Sequence, residues 1–392
     1  MAETVFITGG ARTPIGSFLG SLADVPAAQL GATAIRGALS KSGVKADDVD
    51  EVLMGNVIGA GLGQNIARQC GIAAGLGETV GATTISKVCG SGMRAIIHAA
   101  QAIRCGDMGV AVAGGVESMS GAPYLLPRAR QGYRMGNGEL VDAMIRDGLW
   151  DVYNDVHMGT CGDACAAEHG FSRQDQDAFA IESHRRAKAA VERGFFARLI
   201  VPVEVKQRKG VTVVETDEDV QRFVPEKVGR LRPAFAKDGT VTAANASGIS
   251  DGAAACIVAS EERLGAMGVT PDVRILGHAN VAMAPTQFTV APIHAIRKLS
   301  DKLSLKLADV DLFEINEAFA VVAMVAIKEL GLDHAKVNVN GGAVVLGHPI
   351  GATGARLVVS LAAALKERGQ RRGVACLCIG GGEASAIAIE RC

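Results

Sequence analysis

Four side chains that could take part in catalysis stand in short motifs of this sequence. Cys89 lies in VCGSG, Asn316 in NEAF, His348 in GHPIG and Cys378 in CIGGG. A thiolate can carry an acyl group, a histidine can accept its proton, and an amide can donate a hydrogen bond to an oxyanion. Each residue alone also has a purely structural interpretation, but together they predict covalent catalysis by a cysteine.

The surroundings of Cys89 predict a strand, a tight turn and a helix. A β-prone run ends at Val88, and apolar residues after Cys89 recur at helical spacing. Glycines permit a tight turn that exposes a nucleophile, and Ser91 is a candidate N-cap. The helix N-terminus should stabilise the Cys89 thiolate. A small buried cysteine at a turn fits this stretch equally well.

The other three side chains also follow or precede predicted strands and helices. Asn316 comes between an apolar strand and the apolar run AFAVVAMVAI, which is too short to span a bilayer and predicts a buried helix. His348 precedes Pro349, which restricts its backbone to extended conformations. Cys378 precedes three glycines. The sequence therefore predicts a site made by several turns.

Composition excludes several classes of protein. The chain has 392 residues and a net charge of -1, which suits two or three domains and gives no reason to expect nucleic-acid binding. Its 9 cysteines have irregular spacing, so we expect a reducing compartment, no disulfide framework and no zinc site. The start has no basic segment followed by a long apolar run, so no signal peptide is expected.

The first strand, FITGGARTPIG, is similar to the nucleotide turn of short-chain dehydrogenases. Pro14 argues against that class, because it removes a backbone donor where the helix would begin. None of Tyr124, Tyr133 and Tyr153 is followed four residues later by the lysine of the usual catalytic pair. We interpret the segment as a strand and its exit loop.

Two regions of the chain resemble each other and suggest duplication. CGSGMRAIIHAAQAIRCGDMGVAVAGG and PIGATGARLVVSLAAALKERGQRRGVACLCIGGG each contain a glycine-rich turn, an apolar-faced helix and a strand. The segment between them, from Met119 to about Ile249, carries more charge and includes an amphipathic helix between Ser172 and Gly194. We interpret that segment as an insertion for a polyanionic ligand and a subunit contact, or as a solvated charged surface.

The order of the motifs resembles that of the thiolase family over essentially the whole chain. VCGSGMRA, NEAFA, GHPIGATG and CIGGG match the four active-site motifs of the family, and TAANASGISDGAAA matches its coenzyme A segment. The resemblance implies an α/β fold, a thiolase-like five-layered αβαβα structure built from two similar halves with an inserted loop domain. The first half would comprise residues 1–118 and 250–271, the loop domain 119–249, and the second half 272–392.

The resemblance also implies residue roles. Cys89 would take the acyl group, His348 would accept the thiol proton and help to bind the thioester oxygen, and Cys378 would exchange the α-proton of the second substrate. Asn316 would hold a water in one oxyanion hole, and the Cys89 and Gly380 amides would form the other. No metal or redox cofactor would be required. The chemistry itself needs a covalent carrier, a carbon base and two oxyanion sites.

Coenzyme A thioesters are the substrates that the resemblance implies. Residues matched to the coenzyme A and acyl sites are Leu149, His157, Met158, Arg222, Phe235, Ala243, Ser247, Phe288, Ala318 and Phe319. Residues matched to a potassium site are Tyr153, Ala243, Ala244, Ala246 and Val344. Phe288 and Tyr153 also resemble the mitochondrial acetoacetyl-CoA thiolases, so potassium activation and a 2-methyl-branched substrate are hypotheses beside ordinary packing roles.

The implied activity is reversible condensation of two acetyl-CoA molecules to acetoacetyl-CoA, as in the short-chain acetyl-CoA acetyltransferase group. A degradative 3-ketoacyl-CoA thiolase of broader chain length is the main alternative. A β-ketoacyl synthase and a catalytically silent lipid-binding relative are less consistent with the two cysteines. The Met119–Leu140 loop, with Arg128, Arg130 and Arg134, resembles a tetramerisation loop, so we expect a homotetramer. The expected location is the cytoplasm, or the mitochondrial matrix after removal of a transit peptide.

Overall fold

The computed structural model describes residues 3–208 and 210–392. The strands are β1 (Val5–Arg12), β2 (Gly16–Ser17), β3 (Glu51–Gly55), β4 (Gly81–Ile85), β5 (Val110–Ser118), β6 (Tyr124–Leu125), β7 (Val141–Asp142), β8 (Trp150–Asp151), β9 (Val156–His157), β10 (Val203–Gln207), β11 (Gly210–Val214), β12 (Ser250–Ser260), β13 (Val273–Ala282), β14 (Leu312–Ile315), β15 (Arg372–Ile379) and β16 (Glu383–Arg391). The helices are α1 (Ala27–Ser42), α2 (Ile66–Ala74), α3 (Ser91–Cys105), α4 (Met158–His169), α5 (Arg173–Glu192), α6 (Glu218–Arg222), α7 (Pro225–Val228), α8 (Glu261–Met267), α9 (Ala291–Leu303), α10 (Ala320–Leu330), α11 (Ala343–Leu346) and α12 (Ile350–Glu367).

The main sheet consists of two halves joined edge to edge. Its strand order is β14-β15-β16-β13-β1-β12-β5-β3-β4, with β2 paired to β12. The halves meet where β1 pairs with β13 over only two residue pairs, Phe6 with Arg274 and Ile7 with Val273. Within each half a parallel pair follows a helical crossover, β3 with β5 and β14 with β15.

Helices lie outside and between the two halves of the sheet. Helix α1 packs on α2 and on β1, β5 and β12, whereas α9 packs on β13, β15 and β16. Helices α3 and α12 pack on each other, and α12 contacts strands from both halves. Gly373 of β15 faces Leu361 of α12. On the opposite face of the same strand, the Cys376 thiol donates a hydrogen bond to the Pro292 carbonyl of α9. The layers are therefore helix, sheet, helix, sheet, helix, which confirms the predicted fold class.

Small residues let the first turns of α3 and α12 approach closely. A Cβ atom on Gly92 would lie 2.9 Å from the Ala355 backbone nitrogen, and one on Gly354 would overlap the Met93 backbone. Both positions therefore require glycine, because a larger side chain would separate the helices. The contact brings the Cys89 turn, which precedes α3, toward the His348 loop, which precedes α12.

The segment between β5 and β12 has short strands and several helices. Ser172 and Asp175 form a capping box at the start of α5, which ends before Gly194 with φ 75°, as the sequence predicted. Arg128, Arg130 and Arg134 are exposed in the loop after β6. Helix α10 is mostly buried, as its apolar sequence predicted. Within the part of the chain that the structure describes, no helix is long and apolar enough to cross a membrane.

Candidate active site

Cys89 lies in a strained turn between β4 and α3. The preceding Val88 has φ 44°, which is unusual for a β-branched residue and occurs where surrounding structure fixes the backbone. The Ser91 hydroxyl accepts the Lys87 N–H at 2.8 Å and donates to the Val88 carbonyl at 2.6 Å. Helix α3 begins at Ser91 with Gly90 as its N-cap, so the prediction that Ser91 caps the helix is wrong. Ser91 instead fixes the turn.

The Cys89 thiol is only 6% exposed. Burial raises its pKa to about 11, although hydrogen bonding to the Gly380 backbone N–H acts in the opposite direction. The expectation of a stabilised thiolate is therefore wrong for the free chain, because loss of solvation outweighs the helix N-terminus. Since the sulfur stays protonated at neutral pH, it needs a base.

His348 is buried and one of its ring nitrogens is free. Its Nδ1 lies 2.7 Å from the Thr353 hydroxyl, which itself donates to the Pro349 carbonyl at 3.0 Å. Because the hydroxyl proton is used there, Thr353 accepts from Nδ1–H, and Nε2 is the nitrogen with a lone pair. Nε2 is buried without a hydrogen-bond partner among the described residues. Burial, then the charge of Arg356, lowers the pKa of His348 to about 3.

Asn316 follows β14 and has its side-chain oxygen engaged. Its backbone N–H donates to the Cys376 carbonyl at 2.9 Å, and its Oδ1 accepts from Arg356 Nη2 at 3.2 Å. Nδ2 is buried and has no partner in residues 3–208 and 210–392. A buried amide donor without a partner is uncommon and marks a place where a water or ligand oxygen would bind.

Cys378 lies in β15 and pairs across the sheet with Ala384 of β16. Its side chain is 1% exposed, and burial, followed by the neighbouring Cys89 thiol, raises its pKa well above the ordinary value. Cys378 is therefore a neutral thiol beside Cys89 at neutral pH. Gly380, two residues later, supplies the N–H that faces the Cys89 sulfur. The two cysteines and this amide form one group.

Two clefts lie beside these residues. The larger, of about 1360 Å³, is lined by residues predicted to bind coenzyme A: Leu149, His157, Arg222, Phe235, Ala243, Ser247 and Phe319. The second, of about 930 Å³, is lined by Val88, Met158 and Gly380. His157 stacks on Phe235 with ring centroids 4.5 Å apart. Neither lining includes Cys89, Asn316, His348 or Cys378, but the second cleft reaches Val88 beside Cys89 and also Gly380, which follows Cys378 by two residues.

Two predicted substrate residues lie behind the wall of the larger cleft. The Ala318 carbonyl accepts the Ser247 N–H at 2.9 Å. Phe288 is 2% exposed, and its ring centroid is 6.4 Å from that of Phe319. Phe288 therefore supports a cleft residue and is not itself at the cleft surface.

The residues predicted for potassium are only partly brought together. Ala243, Ala246 and Val344 line the larger cleft, and Ala244 is buried nearby in sequence. Tyr153 lines the second cleft instead, with 74% of its surface exposed. Over the described chain, no group of three or more histidine, cysteine or acidic side chains could hold a metal ion.

Comparison with known proteins gives the family. The model of the thiolase N-terminal domain matches residues 5–262, and that of the thiolase C-terminal domain matches residues 269–391. The chain belongs to the thiolase family.

Named relatives of this thiolase match it over nearly their full length. An acetyl-CoA acetyltransferase of Cupriavidus necator is 49% identical over 389 residues, covering 99% of both chains. A cytosolic acetyl-CoA acetyltransferase of Gibberella zeae is 47% identical over 388 residues, covering 98% of both. The crystal structure of the Bacillus anthracis acetyl-CoA acetyltransferase has a TM-score of 0.97 at 42% identity, covering 100% of this chain and 99% of that one. An Ascaris suum thiolase in complex with coenzyme A has a TM-score of 0.94 at 45% identity and full coverage of both.

Sequence reasoning missed three residues that hold the site of this thiolase in place. Thr353 and Arg356 contact His348 and Asn316, as described above. Buried Glu117 accepts hydrogen bonds from Val57, Ile58 and Gly351 backbone N–H groups, which ties the start of α12 to the loop after β3. A charged residue inside an apolar helix, such as Arg356 in ATGARLVV, was the available signal.

Proposed function

We propose that this thiolase is an acetyl-CoA C-acetyltransferase that interconverts two acetyl-CoA molecules with acetoacetyl-CoA and free coenzyme A. The observation that carries the proposal is a buried pair of thiols, Cys89 and Cys378, beside an amide donor of Gly380. The names of the full-length relatives support the same substrate class. Neutral Nε2 of His348 and the free Nδ2 of Asn316 supply the remaining groups that the reaction needs.

Transfer of the first acetyl group begins at Cys89. His348 Nε2 accepts the thiol proton as the sulfur attacks the thioester carbonyl, and the resulting imidazolium gives that proton to the departing coenzyme A thiolate. The Cys89 and Gly380 backbone N–H groups would donate to the oxygen that becomes negative. Because burial disfavours both a free thiolate and an imidazolium, the proton moves while the carbon–sulfur bond forms.

Carbon–carbon bond formation follows from the acetylated enzyme. The Cys378 thiol first gives its proton to His348 Nε2, and the resulting thiolate removes a proton from the methyl group of the second acetyl-CoA. The carbanion attacks the carbonyl of acetyl-Cys89 and releases the Cys89 thiolate, which takes the proton back from His348 Nε2. Asn316 Nδ2, through a water, and His348 Nε2–H would stabilise the enolate oxygen. The proposed steps require no metal or redox cofactor, because protons and acyl groups move without change in oxidation state.

The decisive test is thiolysis of acetoacetyl-CoA by coenzyme A. Cys89→Ala and Cys378→Ala should each abolish turnover, whereas Cys105→Ala should not, because Cys105 is an exposed cysteine at the end of α3. Mass spectrometry should detect acetyl-Cys89 in the native chain. Turnover confined to longer 3-ketoacyl-CoA substrates would favour the degradative alternative. Activity retained by Cys89→Ala would contradict the mechanism.

Coenzyme A is proposed to bind in the larger cleft. Arg222 lies at this cleft and pairs with Glu218. Because 60% of its side chain is exposed, it is still available for a phosphate near the cleft opening. Arg222→Ala should raise the KM for coenzyme A several-fold and leave kcat nearly unchanged, because the interaction exists before and during the reaction. An unchanged KM would remove Arg222 from the binding site.

Acceptance of a 2-methyl-branched substrate is a further part of the proposal. Phe288 packs near Phe319 at the wall of the larger cleft, so its shape affects the room beside the acyl group. We expect thiolysis of 2-methylacetoacetyl-CoA at a measurable rate, and Phe288→Met should alter the ratio of branched to unbranched turnover. A background rate with the native chain would contradict this part.

Activation by potassium is proposed for the loop that contains Ala243 and Ala246. These two residues and Val344 share one cleft, which supports an ion held by backbone oxygens. Tyr153 does not share that cleft, so the proposed site excludes it. Equal rates in sodium and potassium buffers at the same ionic strength would contradict the proposal.

The proposed assembly is a homotetramer and the proposed location is the cytoplasm. The loop after β5 exposes Tyr124, Leu126, Met135 and Leu140 by 64%, 48%, 94% and 64% respectively, which supports a contact between subunits. The cytosolic Gibberella zeae relative supports the location. Light scattering coupled to gel filtration should give about four times the chain mass, and a dimer mass would contradict the tetramer.

A further inference from the structure

Buried Arg356 stands behind the Asn316 amide. It lies in α12, is 2% exposed, and donates from Nη2 to Asn316 Oδ1 at 3.2 Å. Arginine has only hydrogen-bond donors, so the Asn316 atom that faces it must be the oxygen. Nδ2 consequently points away from Arg356, and it is the buried atom without a partner in the described chain.

The backbone of Asn316 does not depend on this contact. Its N–H bonds to Cys376, and the preceding Ile315 N–H bonds to Asn338 Oδ1 at 2.8 Å. What remains free is rotation of the side-chain amide, which can exchange its oxygen and nitrogen at little cost in shape. Among the described residues, Arg356 is the only hydrogen-bond partner of Asn316 Oδ1, so we take this guanidinium to decide the rotation.

We propose that Arg356 is a positioning residue for catalysis, which holds the Asn316 amide with its nitrogen directed at the substrate oxygen or its water. This inference rests on the proposed function and adds a residue that touches neither substrate nor thiol. The reversed amide would present its oxygen to a developing negative charge and would repel it. Arg356 thus stabilises the transition state through Asn316.

Arg356 also acts on His348 through its charge. Burial is the larger cause of the lowered His348 pKa, and Arg356 is the second. The charged residues that act on Arg356 itself are Glu314, Arg12, Glu317 and Asp217. Replacement of Arg356 by a neutral side chain should therefore move the acidic limb of the pH profile toward higher pH, whereas Arg356→Lys should leave that limb near its original place.

A double-mutant cycle tests the positioning role. Asn316→Ala should lower kcat for thiolysis by about a hundredfold to a thousandfold, the usual loss for an oxyanion donor. Arg356→Met should lower kcat by about tenfold to a hundredfold without a matching rise in KM, since a rotated Asn316 amide no longer donates a hydrogen bond in the transition state. In the double variant kcat should stay within about twofold of Asn316→Ala alone. Multiplied losses, or an Arg356→Met variant with native kcat, would overturn the proposal.

Arg193→Met is the matched control, because Arg193 also donates to an asparagine side-chain oxygen, that of Asn340, and lies outside the described site. It should leave kcat unchanged and show no coupling to Asn316→Ala. If Arg356→Met does not fold, the same cycle is run with Arg356→Lys, which keeps the charge but loses the planar fork. Arg356→Lys should keep part of the native kcat, and additive losses of Arg356→Lys and Asn316→Ala would equally overturn the proposal.

High-resolution crystal structures separate this inference from the proposed function. The native Asn316 amide should be in one orientation, and Arg356→Met should show it rotated or in two orientations. If the native chain turned over no acyl-CoA, the proposed function would fail while these structures still decided the positioning. An Asn316 amide unchanged in Arg356→Met would overturn the positioning role even in an active enzyme.

Discussion

Thr353→Val removes the hydroxyl that bonds to His348 Nδ1, the only such partner in residues 3–208 and 210–392, and keeps the shape of the side chain. Thr353 is fully buried, and its oxygen lies 2.7 Å from Nδ1. A neutral hydrogen bond contributes about 1 kcal/mol, and one to a charged group about 2 kcal/mol. His348 is neutral at rest and charged after it takes the Cys89 proton, so the transition state loses about 1 kcal/mol more than the resting enzyme. That difference corresponds to about fivefold in rate.

Thr353 also fixes which ring nitrogen of His348 carries the proton, and loss of this control adds to the fall in rate. With Thr353 present, Nδ1 carries the proton and Nε2 is free to act as a base. With valine, either nitrogen can carry the proton, so only a fraction of the molecules is competent. We therefore expect kcat for acetoacetyl-CoA thiolysis to fall about ten- to thirtyfold in total, with a loss of about 1–2 kcal/mol in the free energy of unfolding.

Thr353→Ser is the control, because it keeps the hydroxyl and removes only a methyl group. Steady-state kinetics at several pH values, with urea denaturation of each variant, should place Thr353→Ser within about threefold of the native kcat. A native kcat in Thr353→Val would refute the role assigned to the Nδ1 hydrogen bond. An equal loss in both variants would show that packing, and not the hydroxyl, is what matters.

Three further predictions concern titration and packing. The rate of Cys89 carboxamidomethylation, measured by mass spectrometry, should rise about tenfold per pH unit from pH 7 to 9, because the pKa of Cys89 is about 11. A rate that stops rising within that range would contradict this raised pKa. Gly354→Ala should destabilise the fold by about 1–3 kcal/mol in urea denaturation, because its Cβ overlaps Met93, whereas Gly265→Ala in α8 meets no atom within 4 Å and should stabilise by up to about 1 kcal/mol. Burial raises the pKa of Glu314 from 4.5 to about 8, so between these pH values the native state holds a proton that the unfolded chain releases. The free energy of unfolding should therefore fall as pH rises from 4.5 to about 8, and Glu314→Gln should make this pH dependence weaker.

The sequence by itself determined the family and the local elements of this thiolase. The capping box at Ser172, the buried helix after Asn316 and the helix after Cys89 depend on residues within a few turns of one another, so their signals are readable in the chain. The motifs around Cys89, His348, Asn316 and Cys378 also named the candidate site, because glycines permit tight turns there and Pro349 restricts the backbone of His348.

Only the tertiary structure decided the ionisation and support of that site. Local reasoning predicted a stabilised Cys89 thiolate, whereas packing of the two halves of the main sheet against two central helices buries the thiol and raises its pKa. Arg356 bonds to Asn316 although the two residues are 40 apart in sequence. Ala243 and Tyr153, which the sequence assigned to one site, line two different clefts. Desolvation and long-range contacts arise from the assembled layers, and no short segment of sequence contains them.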